Sequence, residues 1–347
     1  FQEFWIARHV QRLRGAQADP AAARLPSIEP RADAWFDPRE TAPESGLPET
    51  LRPDVSAVRA YLAQTLETTL ELLAGADGSD AALHPFRLAL WHEDGLAEDL
   101  AVSAWWHGVP APDDLRPGPA LGRAAAGSLG VPPSTVSPGT PVGGLVPAWQ
   151  RQGEPQPVPG FEIDAQAVTW AQFVEFAEDG GYDDTRWWTP AGWAWVQAEG
   201  RRAPRGVEQL RGAVLARRGA GVTRLAARQA VTHVSWYEAQ AWCRWAGRRL
   251  PLEIEWEHAA RSAAARGFRW GEVQEWVDGP ARAWPGAATD PVAGFDPLPS
   301  TAGSEPARCV LRGASRWTVP RAADPCGRRF ADPRQDDGFF GFRSVAG

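Results

Sequence analysis

The spacing of apolar residues changes near residue 108, and this change constrains the fold more than any single motif does. Before it, apolar residues recur every three or four positions, which is typical of amphipathic helices. Pro85 predicts that the last of these helices begins at that residue, because proline is tolerated in a first turn. The helical segments lie within residues 1–14, 54–75 and 80–107. We therefore expect a helical bundle over residues 1–107, with a fourth helix partly upstream of Phe1.

The remainder of the chain has a different composition. Residues 108–157 are rich in Pro, Gly and Ser, which predicts a linker. Residues 158–347 are dense in Trp, Gly and Arg, with short apolar runs separated by turns and no repeat of fixed period. Amphipathic spacing predicts helices at 233–250 and 252–265. We expect an α+β domain with much irregular structure.

Composition restricts the partners and the compartment. The formal net charge is −7, whereas nucleic-acid-binding domains usually present a basic face. No apolar run approaches the roughly 20 residues that span a bilayer. Cys243, Cys309 and Cys326 are widely spaced, as expected for buried thiols in a reducing cytoplasm. We therefore expect a cytoplasmic protein with neither nucleic acid nor a membrane as partner. Because the sequence contains no Met, its native start is expected upstream of Phe1.

The segment WHEDGLAEDL, from Trp91 to Leu100, combines a histidine with acidic residues on a predicted helix. Helices that bind a metal usually present a second His one turn after the first, so that both imidazoles face one ion. Leu96 occupies that position here. The segment is therefore either a metal site completed from elsewhere, one that has lost a ligand, or a buried histidine with no metal.

Six segments of the second region follow one another in the order of a known domain. They read DAQAVTWAQFVEF, GGYDDTRWWTPAGWAW, HVSWYEAQAWCRWAGRRLPLEIEWEHAAR, WGEVQEW, VLRGAS and RRFADPRQDDGFFGFR. Together they resemble the formylglycine-generating-enzyme (sulfatase-modifying factor) domain over roughly residues 158–347. The resemblance implies a C-type-lectin-like α+β module. It does not extend to formylglycine formation, because Cys309 and Cys326 do not match the close cysteine pair of that reaction.

Two segments of the first region resemble the DinB-like helical bundle of ergothioneine sulfoxide synthases and selenoneine synthases. They read FQEFWIARHVQR and ALWHEDGLAEDL. The HED sequence at 92–94 resembles selenoneine synthases more than ergothioneine sulfoxide synthases. This resemblance implies an oxidoreductase that uses non-haem Fe(II) and O₂ to join sulfur or selenium to hercynine, a trimethylhistidine. The implied donor is a thiol or a selenosugar. Trp-rich surroundings would suit the quaternary ammonium of hercynine through cation–π contact.

The resemblance also implies metal ligands. In the family, an upstream His and an H-x-x-x-H-x-E helix bind the iron. His92 matches the first His of that helix and Glu98 its Glu, whereas Leu96 replaces the second His and the upstream His would precede Phe1. Asp99 lies seven residues after His92, on the same helix face, where a carboxylate could replace the imidazole. We therefore predict His92, Glu98 and Asp99 as metal ligands. Other possible donors, each alternatively a surface or interface histidine, are His9, His84 and His107.

In relatives, the last matching segment lines the substrate cleft. This predicts Phe330, Asp332 and Arg334 as substrate contacts. No catalytic proton donor is identified, because the stretch where the family often carries tyrosine, residues 295–306, contains none.

Two other hypotheses remain open. Leu96 and the tyrosine-free stretch are also compatible with a non-catalytic or altered-substrate homologue whose iron site is degenerate. Because the lectin-like fold hosts several functions, a hydroxylase or a ligand-binding module for another substrate is the third possibility.

Overall fold

The computed structural model describes most of the chain in several segments. They are residues 2–3, 8, 26–36, 49, 52–110, 115–122, 124, 127–141, 143, 146–286 and 308–347. His9, most of the helix predicted at 1–14 and the tyrosine-free stretch at 295–306 lie outside the described residues. The chain divides into two compact units, which consist of Phe1–Glu93 with Gly143–Leu145 and of Asp94–Val142 with Val146–Gly347.

The first unit contains helices that local signals explain. They are α1 (Ala32–Phe36), α2 (Val55–Ala74) and the first half of α3 (Asp80–Trp106). The side chain of Asp54 caps α2 by accepting a hydrogen bond from the Ala57 amide at 2.8 Å. The predicted helices at 54–75 and 80–107 are thus confirmed, whereas a DinB-like bundle stays a prediction.

The start of α3 differs from the prediction. The helix begins at Asp80, and Pro85 lies inside it. Ser79 supplies the start signal, because its Oγ accepts a hydrogen bond from the Ala82 amide at 3.2 Å. A serine cap therefore begins the helix more than one turn before the proline.

The second unit is a mixed α and β structure, as predicted. Its helices are α4 (Trp170–Glu178), α5 (Pro190–Glu199), α6 (Trp236–Trp245) and α7 (Glu253–Ser262). Its strands are β1 (Ser128–Val131), β2 (Ser134–Val136), β3 (Gln156–Val158), β4 (Phe161–Asp164), β5 (Val207–Gln209), β6 (Val214–Arg218), β7 (Gly221–Leu225), β8 (Arg248–Arg249), β9 (Gln274–Pro280), β10 (Cys309–Arg312), β11 (Arg328–Ala331), β12 (Phe340–Phe342) and β13 (Val345–Ala346). Short 3₁₀ turns occur at Ala148–Gln150, Thr185–Trp187, Ala264–Arg266 and Pro320–Ala322.

The strands form small sheets joined by long connections. Two four-stranded sheets have the orders β1-β4-β13-β8 and β11-β10-β9-β12. Two smaller sheets are antiparallel. One consists of β2 and β3, and the other of β5, β6 and β7 in that order. The pair β9 and β12 is parallel, because β12 returns to the sheet from a distant part of the chain.

The core of this unit is aromatic and is positioned by capped helices. Ser235 and Glu238 form a capping box at the start of α6, which was predicted as an amphipathic helix. Trp170 and Phe173 of α4 are almost completely buried. They belong to a cluster that also contains Trp276 of β9. This aromatic cluster thus joins helices and strands of the second unit.

The predicted linker contains regular structure. Strands β1 and β2 and most of β3 fall within residues 108–157. Leu129 and Val131 alternate with exposed residues along β1 and pack in a buried cluster with Ile163 of β4. The prolines and glycines of this region therefore form turns between short strands, and residues 94–142 belong to the second unit. Within the described ranges, no helix has the length and apolar character needed to cross a membrane.

Candidate functional site

The second unit encloses a cavity of about 470 Å³ with an aromatic lining. We call it the aromatic cavity. Its walls include Trp105, Trp170, Arg218, His233, Glu272, Arg316, Trp317 and Phe339. These residues come from the end of α3, the start of α4, the end of β6 and four connecting segments. A cavity of this size suits a small organic molecule.

Three aromatic side chains of the cavity pack against one another. Trp317 and Phe339 are stacked, with ring centroids 5.6 Å apart and an interplanar angle of 11°. Trp105 meets Phe339 edge to face, with centroids 6.0 Å apart. Each ring is therefore held in place by its neighbours and presents a rigid surface to the cavity.

His233 also lines the cavity and contacts the aromatic rings of its wall. Its ring centroid is 4.7 Å from that of Trp105, 4.5 Å from that of Trp106 and 5.4 Å from that of Phe339. Burial lowers the pKa of His233 to about 3, although the backbone of Gly338 acts in the opposite direction. The imidazole is therefore neutral near pH 7.

The backbone of His233 is also unusual. Its φ angle is +61°, in the left-handed region that non-glycine residues rarely adopt. The carbonyl of His233 accepts a hydrogen bond from the Arg205 amide at 3.3 Å, and the Val234 amide donates to the Phe340 carbonyl at the same distance. These backbone hydrogen bonds hold His233 in its left-handed conformation. Residues held in rare backbone conformations are often found at functional sites.

The polar groups of the cavity include both signs of charge. Burial raises the pKa of Glu272, while the Leu121 backbone and the Gln166 side chain oppose this shift. The Gln166 amide lies 3.4 Å from the Glu272 carboxylate. Arg316 donates from Nε to the Gly118 carbonyl at 2.8 Å, which fixes its guanidinium. The lining of the cavity therefore combines a partly desolvated carboxylate with aromatic rings.

The predicted metal ligands all lie on α3, but their surroundings differ. His92 is half-buried in the first unit. Leu96, at the position of the family's second His, is 45% exposed. Asp99 is exposed and forms an ion pair with Arg329. Of the other proposed donors, His84 is buried and His107 exposed.

Glu98 has the most completely satisfied carboxylate of this helix. It is buried and accepts hydrogen bonds from Ser315 Oγ at 2.5 Å, Thr318 Oγ1 at 2.8 Å and Gln274 Nε2 at 3.2 Å. These partners lie on β9 and in the connection after β10. Glu98 therefore attaches the second half of α3 to the core of its own unit.

The described residues alone do not fit a three-ligand iron site. Within them, no three His, Cys, Asp or Glu side chains are placed so that they could hold one metal ion. His92, Glu98 and Asp99 stay predicted ligands.

Comparison with known proteins identifies the family. The model of the sulfatase-modifying factor enzyme 1-like domain matches residues 135–304. The chain is 31% identical over 330 residues to the hercynine oxygenase of Mycolicibacterium smegmatis, covering 91% of this chain and 70% of that protein. It is 30% identical over 405 aligned positions to the hercynine oxygenase of Mycolicibacterium thermoresistibile, and the alignment covers 99% of this chain and 84% of that protein. A formylglycine-generating enzyme of Streptomyces coelicolor is 38% identical over 125 residues, covering 32% and 40%.

The chain belongs to the hercynine oxygenase family. This confirms the predicted resemblance at the level of the family. The domain match begins at residue 135, inside the predicted linker, where the chain forms strand β2.

The three predicted substrate contacts lie outside the lining of the aromatic cavity. Phe330 is half-buried on β11 and packs against a core cluster, with the Arg328 guanidinium 5.1 Å from its ring centroid. Asp332 accepts hydrogen bonds from the Arg334 guanidinium at 2.9 and 2.7 Å and from the Arg334 amide at 2.8 Å. Arg334 lines a different cavity, of about 560 Å³. These described side chains are not among the residues that line the aromatic cavity, and their role stays a prediction.

The same C-terminal segment does reach the cavity through Phe339. The other wall residues, Trp105, His233, Glu272 and Trp317, carry no recognisable local motif for binding. The signals present in the sequence were the paired tryptophans that end α3 and the histidine that precedes α6. Neither signal indicates that the two segments meet.

Proposed function

We propose that this chain is an oxygenase that acts on hercynine and joins sulfur or selenium to its imidazole ring. The relatives named hercynine oxygenase align with almost the whole chain. The observation that carries the proposal is the aromatic cavity, in which Trp105, Trp317 and Phe339 lie with the carboxylate of Glu272.

The chemistry of hercynine suits this lining. Its trimethylammonium group is permanently charged and has no N–H to donate, so hydrogen bonds cannot hold it. Aromatic faces can, because the ring quadrupole attracts a cation with about 0.5 to 2 kcal/mol for each well-placed contact. The Glu272 carboxylate, in its ionised form, adds a charge of the opposite sign. The aromatic rings thus suit a quaternary ammonium, which they can bind without hydrogen bonds.

Iron and the chalcogen donor belong to the proposal through the family resemblance. Fe(II) and O₂ are expected as cofactor and oxidant, and a thiol or a selenosugar as donor. Since the described residues do not complete a three-ligand site, we assign no step of the reaction to the metal. The ending P-R-x-D-D-x-F-x-G-F-R, at residues 333–343, resembles that of selenoneine synthases, and this resemblance favours a selenium donor.

Binding tests the cavity directly. Isothermal titration with hercynine and with histidine compares ligands that differ in the three methyl groups. We expect the chain to prefer hercynine, and Trp317→Ala to weaken hercynine binding about tenfold through the lost cation–π contact. Trp187→Ala removes a half-buried tryptophan that does not line the cavity and serves as the control. Equal affinity for both ligands would contradict the assignment of the cavity.

Product formation tests the reaction. The full-length protein, with any residues that precede Phe1, is incubated aerobically with Fe(II), hercynine and either cysteine or a selenosugar, and the products are analysed by mass spectrometry. A product with a carbon–sulfur or carbon–selenium bond at the imidazole is expected, and the reactive donor identifies the element. Hercynine binding without any product would instead support the non-catalytic homologue.

A further inference from the structure

We propose that Arg218 is a carboxylate-binding residue of the aromatic cavity and selects ligands that carry an acid group beside their ammonium. The inference deepens the proposed function and rests on it. Its basis is the placement of Arg218 at the cavity wall, its missing counter-charge and its position over Trp105.

The hairpin between β6 and β7 fixes the backbone of Arg218. Arg218 pairs with Gly221 at the end of the hairpin. The next residue, Gly219, donates from its amide to the Trp106 carbonyl at 2.9 Å. A Cβ at Gly219 would lie 2.8 Å from the His107 carbonyl oxygen, and its φ is +57°, so glycine is required there. The end of the hairpin is therefore held against the end of α3, which carries Trp105.

Arg218 has no counter-charge of its own. Among the residues that the structure describes, none forms an ion pair with its guanidinium. The adjacent Arg217 differs, because it pairs with Glu208 at 2.6 Å. An exposed arginine at the wall of a cavity, with its donors available, suits a carboxylate, which the planar guanidinium can bind through two hydrogen bonds.

The position over Trp105 indicates which carboxylate is suitable. The guanidinium carbon of Arg218 lies 6.0 Å from the ring centroid of Trp105. In an amino-acid betaine the carboxylate and the quaternary ammonium are attached to the same carbon atom. A residue that binds the acid must therefore lie beside the rings that hold the ammonium, as Arg218 does. The thiol donor is the second possible source of a carboxylate.

A ligand pair that differs in the acid group tests the proposal. Isothermal titration measures the affinity of the full chain for hercynine and for its decarboxylated analogue, N,N,N-trimethylhistamine. The parent is expected to bind hercynine about tenfold more tightly, the scale of one charge-assisted hydrogen-bond pair. Arg218→Gln should lose this preference and retain its affinity for the analogue. Arg217→Gln makes the same charge change on the same strand, outside the cavity lining, and should keep the preference.

A second arm distinguishes the source of the carboxylate. With hercynine present, cysteine and cysteamine are titrated into the same proteins. If Arg218→Gln removes a preference for cysteine over cysteamine and leaves the hercynine pair unchanged, the carboxylate belongs to the donor and the proposed role still holds.

Three results would overturn the inference. If Arg218→Gln keeps both preferences while the parent binds hercynine, Arg218 has no such role and the proposed function stands. If Arg218→Gln weakens the binding of hercynine and of trimethylhistamine equally, the substitution acts on the shape of the cavity and not on a carboxylate contact. If the parent binds neither of these two ligands, the proposed function fails together with the inference.

Discussion

Glu98 and Glu272 are two carboxylates of the same unit with opposite surroundings. Glu98 lies in the conspicuous His-acid segment, yet its oxygens are occupied by Ser315, Thr318 and Gln274. Glu272 lies in the WGEVQEW segment, where the sequence predicted no role for it, yet it lines a cavity and accepts a hydrogen bond from the Gln166 side chain at 3.4 Å. A carboxylate with three close donors stabilises the fold, whereas one with few donors retains the capacity to bind a ligand.

The comparison also separates two properties of α3. Two of its acidic residues attach the helix to the rest of the unit. Asp94 forms an ion pair with Arg321 at 2.5 Å, and Glu98 accepts a hydrogen bond from Ser315 in the connection after β10. Its last turn supplies Trp105 to the cavity wall. In its second half, the helix that resembles a metal-ligand helix thus serves mainly to hold α3 against the core of the second unit.

The largest expected effect is on Glu98. Glu98→Ala removes an acceptor from three buried or half-buried donors and should lower the free energy of unfolding by about 2 to 4 kcal/mol. Asp99→Ala removes one exposed ion pair and should cost less than about 1 kcal/mol. Urea denaturation of both variants measures the difference. Equal destabilisation by the two substitutions would show that Glu98 does not act as an attachment.

The next effect is a pH dependence of stability that comes from His233. Because the pKa of His233 falls from 6.5 to about 3 on folding, the unfolded chain binds a proton there at pH values where the folded chain does not. Stability is therefore lost as the pH decreases below about 6.5, by about 2 kcal/mol between pH 6.5 and pH 5 from this group alone.

His233→Asn isolates that contribution, since asparagine tolerates the left-handed backbone. The free energy of unfolding of the parent should fall more steeply than that of the variant between pH 6.5 and pH 5. Parallel pH profiles of the two proteins would contradict a neutral, buried imidazole.

The smallest effect concerns Glu272. Glu272→Gln should weaken hercynine binding about twofold to fivefold, the scale of a partly exposed ion pair. Because the pKa of Glu272 is raised by burial, the carboxylate is lost at a higher pH than for an ordinary glutamate, and hercynine affinity should rise as the pH increases through that pKa. Titration calorimetry across this range, on parent and variant, checks both points. An affinity that is equally independent of pH in both proteins would exclude Glu272 from the site.

Local sequence signals were sufficient for much of the secondary structure. The Asp cap of α2 and the Ser-x-x-Glu box of α6 act within a few residues, so these helix starts depend on local sequence. The linker prediction was less successful, because β1 is a strand only through its pairing with β4, more than 30 residues away. A short strand in a segment rich in proline and glycine has too few residues to show a clear period.

The sequence by itself determined the family, the mixed α and β class and the positions of several helices, because these depend on ordered motifs and on neighbouring residues. Only the tertiary structure decided the candidate site. It brings Trp105, His233, Glu272, Trp317 and Phe339 to one cavity from segments up to 234 positions apart, and no local period records such an encounter. It also decided the surroundings of Glu98, whose partners Gln274, Ser315 and Thr318 follow it by 176 to 220 residues. The chemistry of a carboxylate depends on the donors that surround it, and those donors are selected by packing.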